Sequence, residues 1–346
     1  MLNDSHQTLK EILPKIIFGT SALGNLYIDQ PESIKTEIVA QCLQHAKQPV
    51  VFDSAGKYGA GMALEMLGRI LEKLDVPAEN VIISNKLGWK RIPLTTQEPT
   101  FEPGVWKGLS HDAIQQISYG GIIECFEQGN QLLGTKYSPQ LISVHDPDEY
   151  LAKAKSPEEY ERLFFDITEA YRALADLKKQ GKIKAIGVGS KDWKVIHKLA
   201  AHISFDWVMF ANSFTIMNHP ADLLEFMDKL HQKGVCIVNS AVFQGGFLTG
   251  SNYYDYRLVT TETDLSKFQW REEFFSLCKK YNISPAVACV NFGMTPPGVA
   301  AISLNTSNPN RVKDNVSLVE ASVPSEFYIE MVTKGLINKD YPYLGL

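Results

Sequence analysis

Short apolar runs punctuate this chain at Lys15–Gly19, Val50–Asp53, Val81–Lys86, Leu141–His145, Ala185–Val188, Trp207–Ala211, Val235–Ser240 and Ala300–Leu304. Each has strand length and is apolar nearly throughout, the signature of a strand covered on both faces. The segments between them change to a helical period. Ile34, Ile38, Cys42 and Ala46 recur at steps of four, as do Leu163, Ile167 and Tyr171, with Leu174 three residues on, so each stretch presents one apolar stripe. Ser156-Pro157-Glu158-Glu159 supplies a helix N-cap, a proline at the first helical position and a capping-box glutamate, and Asn308-Pro309 repeats the cap and the proline. Strands that alternate with helices pair in parallel, and eight such units favour a closed (β/α)8 TIM barrel, a single domain over residues 1–346. A doubly wound open sheet is the main rival. Its one local hint, Gly59-Ala60-Gly61-Met62-Ala63-Leu64, lacks the third glycine or alanine of the dinucleotide fingerprint. A long irregular insertion at about 88–110, with Pro93, Pro99, Pro103 and Gly104, follows the third strand and is expected over the barrel mouth.

At 346 residues and 45% hydrophobic, the chain can bury one large core without a second domain. Its net charge of -5 is spread out, with no block of like charges, so neither nucleic acid nor an anionic membrane is an expected partner. A small-molecule substrate is. Cys42, Cys125, Cys236, Cys278 and Cys289 lie far apart in apolar runs without CxxC spacing, which reads as reduced core residues of a cytosolic protein and no metal site. Met1-Leu2-Asn3-Asp4-Ser5-His6 has neither a basic start nor an apolar stretch of signal-peptide length, and no segment reaches ~18 consecutive apolar residues. A soluble, cytoplasmic protein is expected, with homo-oligomerisation left open.

Asp53, Tyr58, Lys86 and His145 close or closely follow successive strand-like runs. Parallel strands would deliver them to one mouth of a barrel, where such folds do their chemistry. A phenol with a free pKa of ~10 is a poor acid or base at neutral pH. A lysine nearby stabilises its phenolate, a carboxylate keeps that lysine cationic, and an imidazole orients the substrate oxygen or relays its proton. The set suits proton transfer at a carbonyl or alcohol oxygen, and redox chemistry there needs a hydride carrier such as a nicotinamide. A Schiff-base aldolase built on Lys86 is a second class of reading, which a neighbouring Asp53 opposes by favouring the ammonium.

Residues 15–320 resemble the aldo-keto reductase superfamily. Gly19-Thr20-Ser21-Ala22-Leu23-Gly24 resembles its opening motif, Asp53 and Tyr58 have its five-residue spacing, and Lys86 and His145 end its third and fourth strands. Residues 181–188, 239–250 and 308–315 continue the match in order, and His145-Asp146-Pro147-Asp148 with Gly189-Ser190-Lys191-Asp192-Trp193 resembles the branch containing L-fucose and D-threo-aldose 1-dehydrogenases. The resemblance implies Tyr58 as general acid/base, tuned by Lys86, with Asp53 pairing Lys86 and His145 orienting the carbonyl. It implies an extended NADP or NAD across the barrel mouth, with Gly19 and Thr20 among its binding residues and its nicotinamide near Gly189, Ser190 and Asn212. The pyrophosphate would run along Ser240, Phe243, Gly245, Gly246, Leu248 and Gly250, and the adenosine end would meet Asn305, Thr306, Arg311 and Asn315. The glycines at 245, 246 and 250 independently permit close backbone approach, and a helix opening at Asn308 attracts phosphate.

The chain departs from the family where Gly189-Ser190 replaces Ser-Asn, where Asn239 replaces a stacking tyrosine and where Asn305-Thr306 replaces Lys-Ser. Phe243 is then the candidate ring for stacking, and the choice between NAD and NADP stays open, with Arg311 as the candidate for a 2'-phosphate. Trp89 and Trp106 are the candidate substrate-lining rings, and Lys191, Lys194 and Lys198 read as a solvated helix face. The expected reaction is oxidation of an aldose such as L-fucose or D-arabinose at C1. A general aldehyde or ketone reductase and a cofactor-binding regulatory subunit are the alternatives.

Overall fold

The computed structural model describes residues 9–255 and 257–345. The N-terminal stretch Met1–His6, read above for targeting signals, lies outside the described residues. Strands β1 (Ile16–Gly19), β2 (Val50–Ala55), β3 (Val81–Leu87), β4 (Leu141–His145), β5 (Ala185–Ser190), β6 (Trp207–Ala211), β7 (Cys236–Ser240) and β8 (Val299–Leu304) form one closed barrel. Each pairs in parallel with its neighbour in sequence, and β8 returns to β1 through Ile16↔Ile302 and Phe18↔Leu304. All eight apolar runs are barrel strands, and the open doubly wound sheet is excluded by closure.

Alternation along the strands divides the burial. Outward residues such as Ile16, Phe18, Val50, Phe52, Val81 and Ile83 pack with buried side chains of the helices Glu32–His45 and Met62–Lys73. Inward residues Ile17, Val51, Ile82, Leu141, Ala185, Trp207, Met209, Cys236, Val238 and Ala301 form a separate apolar cluster. Leu13, with Leu9 and Ile12 of the short helix Leu9–Ile12, packs onto that cluster. Two residues further along the same inward register the chemistry changes. Asp53 follows Val51, Ser84 and Lys86 follow Ile82, and Ser143 and His145 follow Leu141, all of them buried. An apolar lower barrel thus supports a polar upper one.

The helix starts follow the capping signals. Ser156 accepts from the Glu159 amide to open Pro157–Lys179, which buries Leu163, Ile167, Tyr171 and Leu174. Asn308 accepts from the Asn310 amide ahead of the helix Val312–Leu318. The helix Glu32–His45 buries Ile38 and Cys42 and ends one residue short of Ala46. The insertion after β3 is less irregular than expected. Trp89–Pro93 pairs antiparallel with His111–Gln115, so the segment is a hairpin; Pro93 ends its first strand, and Pro99 and Pro103 lie in the connection. The break in hydrophobicity there marks a half-exposed two-stranded ribbon, which an apolar-run criterion passes over. All five cysteines are buried and free, and among the described residues no helix is long and apolar enough to cross a membrane.

Gly187 and Trp207 sit in register across β5 and β6, facing into the barrel. A Cβ on Gly187 would overlap the Trp207 indole, which is 2% exposed and has no room to retreat. Gly187→Ala is therefore expected to cost about 1–3 kcal/mol, the usual penalty for overpacking, read as a lower midpoint of urea unfolding. An unchanged midpoint would mean that the ring can move aside.

Candidate active site

The site begins with how Tyr58 is held. β2 ends at Ala55, and the chain then turns through Gly59, Ala60 and Gly61, all with left-handed backbone. The turn rests on Gly24: a Cβ there would stand 2.8 Å from the Tyr58 carbonyl, so only glycine lets the two segments touch. The last glycine of the opening motif thereby fixes the turn that presents Tyr58.

β3 runs one strand over and brings Lys86 beside it. Lys86 Nζ lies 2.5 Å from Asp53 Oδ2, donates to the Ser54 carbonyl at 3.3 Å and stands 3.2 Å from the Tyr58 hydroxyl. Ser84 donates to the other Asp53 oxygen at 3.0 Å, while Thr20, just past β1, donates to the Asp53 carbonyl. The His145 ring meets the Tyr58 ring edge-on, with centroids 5.5 Å apart. Asp53, Tyr58, Lys86 and His145 therefore converge, as the strand-end argument requires.

Burial disfavours the Lys86 ammonium, yet Asp53 and then Tyr58 outweigh it and raise its pKa above the ordinary lysine value. Lys86 is a fixed cation, which removes the Schiff-base reading that needs a neutral amine. Tyr58 differs from expectation. Burial raises its pKa more than Lys86 lowers it, with Asp53 adding to the rise, so the phenol is neutral at rest. His145 is held neutral as well, by burial first and then by Lys86, Lys57 and Lys191.

A second charged group shares the mouth, and the sequence reading gave it no role. Lys57, next to Tyr58, is 4% exposed. Its ammonium meets Glu102 of the insertion at 2.8 Å, Glu149 at 2.9 Å and Asp146 at 3.5 Å. Those three carboxylates lift its pKa against the cost of burial. Glu102 also accepts from Trp106 Nε1 at 2.6 Å, and the Trp106 ring lies 5.8 Å from that of Tyr58. Lys191, expected on a solvated helix face, is exposed but precedes the helix Trp193–Leu199; it also lines the cavity and pairs with Glu149 at 3.4 Å. The only signals were the adjacency of Lys57 to Tyr58 and the acidic run around Pro147. Together these groups enclose a cavity of about 310 Å³ open to Tyr58, Lys86 and His145. Trp106 is part of its wall. Trp89 is not: it packs behind on Phe101, with the Lys57 ammonium over its ring.

Among the residues proposed for a dinucleotide, Gly189, Ser190 and Ser240 line the cavity. Asn212, left-handed at the end of β6, donates to Asp255 at 2.8 Å and keeps Oδ1 buried without a partner. Gln244 Oε1 is also buried and unpartnered, in a loop where Ala241, Gln244, Gly245, Gly246 and Gly250 are all left-handed. Two orphaned acceptors beside a tightly wound loop fit a group rich in donors, as a nicotinamide carboxamide and ribose hydroxyls are. Leu248 is fully buried and offers only backbone, and Phe243 packs on the core rather than lining the cavity. Thr20 is occupied with Asp53, and Gly19 approaches Asn305. Asn305 donates to Ser21, Thr306 caps Asn308, Asn315 is half-buried and Arg311 is exposed. Asn239 is a brace, donating to the Phe214 and Gly293 carbonyls from full burial.

This barrel and this convergence belong to a recognised class. The chain belongs to the aldo/keto reductase family, whose model matches residues 15–334, and is an oxidoreductase of the NAD(P)-dependent kind. It is similar to a pyridoxal 4-dehydrogenase from Microbacterium luteolum, 24% identical over 334 residues, covering 92% of this chain and 93% of the relative. A D-threo-aldose 1-dehydrogenase from a Pseudomonas species is 21% identical over 344 residues, covering 94% and 95%. A solved aldo-keto reductase from Bacillus halodurans, in its holo form, superposes with a TM-score of 0.66 at 19% identity, covering 94% and 92%.

Glu102 joins the insertion to the mouth through both Lys57 and Trp106. Glu102→Ala is expected to lower stability by about 1–3 kcal/mol, since it leaves a buried indole N–H unpaired and takes one carboxylate from a buried ammonium. Thermal unfolding and near-ultraviolet circular dichroism read the two effects. A variant with unchanged stability and an unchanged aromatic spectrum would show that the clasp does not hold Trp106.

Proposed function

We propose that this enzyme oxidises the hemiacetal carbon of a cyclic substrate, an aldose at C1, to the lactone. The observation that carries the reading is the Tyr58 hydroxyl at 3.2 Å from a lysine kept cationic by Asp53, at the floor of a cavity walled by both charged groups and an indole. Sugar hydroxyls suit the Glu102, Asp146, Glu149 and Lys191 side chains, and a sugar C–H face suits Trp106. The names of two relatives support the same chemistry. An aldose closes to a cyclic hemiacetal, and pyridoxal does so too, because its aldehyde neighbours a hydroxymethyl group.

In this mechanism the substrate hydroxyl binds between Tyr58 and His145. Tyr58, once it has given up its own proton, takes the hydroxyl proton as a phenolate while the hydride departs from the carbon that bears the hydroxyl and the C=O bond forms, so one proton and one hydride leave the substrate together. A bound nicotinamide dinucleotide supplies the hydride acceptor that no side chain provides. Lys86 stabilises the Tyr58 phenolate that has to form before the proton can be accepted, and Asp53 keeps that cation in place. Arg311, exposed near the adenosine end, supports NADP, whereas Asn305 in place of a lysine supports NAD. The neutral resting state of Tyr58 favours the reverse direction as a second reading, carbonyl reduction with the phenol as proton donor.

The test is incubation with NAD+ or NADP+ and a panel of cyclic hemiacetals including L-fucose, D-arabinose and pyridoxal, followed by absorbance of reduced nicotinamide. Oxidation is expected, and Tyr58→Phe should slow it by roughly 10²–10⁴-fold while still binding cofactor. Efficient reduction of simple aldehydes with no hemiacetal oxidation would overturn the substrate assignment.

A further inference from the structure

Asp146 takes part in none of the steps above, yet it stands at their edge. It follows β4 directly and adopts left-handed backbone, φ 46° and ψ 59°, a conformation aspartate tolerates better than most residues. Its amide donates to the Gly189 carbonyl at 3.2 Å, and Pro147 follows at the first position of the helix Pro147–Leu151, so the carboxyl group has a fixed origin. From there Oδ2 reaches 3.4 Å from His145 Nε2 and 3.5 Å from Lys57 Nζ. Both Asp146 and His145 line the cavity.

The second observation lies on the other side of the imidazole. His145 Nδ1 is sealed in the protein with no hydrogen-bond partner. A neutral imidazole carries its proton on one nitrogen only. Placed on Nδ1, that proton would be a buried donor without an acceptor, and the Nε2 lone pair would lie 3.4 Å from a carboxylate oxygen. Placed on Nε2, it meets negative charge and leaves only a weak acceptor buried. Both effects favour the same tautomer.

We propose that Asp146 is a positioning residue for His145: its carboxylate, anchored by the buried Lys57 ammonium, keeps the imidazole proton on Nε2 so that this edge can donate to the substrate oxygen. The inference rests on the reading of His145 as the group that orients that oxygen. Asp146 is surrounded by charge from every adjoining element. Lys57 comes from the turn after β2, carrying Glu102 of the insertion with it, and Lys191 comes from the end of β5. Asp148 and Glu149 come from the following helix, and Tyr58 stands across the cavity. Burial raises the Asp146 pKa first, Lys57 opposes, and Glu149 and Asp148 add to the rise, to about 7. Once protonated, Asp146 no longer favours a proton on Nε2. The sealed Nδ1 then favours that proton alone, so the donor is held most firmly above pH ~7 and its population falls as the pH drops through it.

Nitrogen-15 NMR of protein labelled at histidine, with the His145 signals identified by comparison with His145→Gln, reads the tautomer without any substrate. The expected result is the Nε2–H form at pH 8 and a fall in its population through pH ~7. Asp146→Asn, which keeps the shape and suits the left-handed backbone, should abolish that transition. It should also lower kcat/KM about tenfold or more and remove the acid limb near neutrality from its pH profile, while cofactor affinity stays unchanged. An Nδ1–H form at pH 8 in the wild type, or an acid limb that persists in Asp146→Asn, would overturn the proposal. If no hemiacetal is oxidised and the nitrogen signals still behave as expected, the substrate assignment fails while the role of Asp146 stands.

Discussion

The buried ion pair between Lys86 and Asp53 is the constraint around which the rest of the molecule is arranged. The two side chains are 5% and 4% exposed and 2.5 Å apart. Desolvating two charges costs several kcal/mol each, and removing one partner from such a pair leaves a penalty of roughly 3–5 kcal/mol. The upper barrel meets that cost with fixed polar groups: Ser84 on one Asp53 oxygen, the Ser54 carbonyl on Lys86 and Thr20 on the Asp53 carbonyl. Because the pair is rigid, the cation lies at a fixed distance from Tyr58, and Gly24 under the Tyr58 turn fixes the phenol in return. Three strands and one turn are thus committed to a single interaction.

Much of this is legible in the sequence because burial on both faces leaves continuous apolar runs, and eight of them separated by helical stripes have few closed arrangements. The strand-end positions of Asp53, Lys86 and His145 are legible for the same reason. Reading the runs as uniformly apolar hides the division inside them. Val51 and Asp53, or Ile82, Ser84 and Lys86, share one inward register, and that register changes from apolar to polar going up the barrel. Trp89 and Trp106 are alike in composition and both near the insertion. Only the hairpin pairing of Trp89 with Gln115, and the bond from Trp106 to Glu102, sends one behind the wall and the other into it.

The least legible part is the Lys57 cluster, since its members come from four separate segments and meet only through folding. Lys57 follows β2, Glu102 lies in the insertion, Asp146 and Glu149 follow β4, and Lys191 follows β5. The cluster gathers three carboxylates of the mouth around one buried ammonium. It also ties the cavity wall at Trp106 to the electrostatics at His145. Departures from the family pattern find uses of their own: Asn239 braces two carbonyls, and Asn305 ties β8 to Ser21.

The central claim is that Lys86, held cationic by Asp53, draws the ionisation of Tyr58 downward against the effect of burial. Ultraviolet difference titration, with Tyr58→Phe subtracted to isolate that phenol, measures it directly. Comparing the wild type with the double variant Lys86→Met, Asp53→Asn leaves no unpaired buried charge in either protein. The account predicts that Tyr58 ionises at higher pH in the double variant, because the cation lowers its pKa by more than Asp53 raises it. Ionisation at the same or a lower pH would contradict the account.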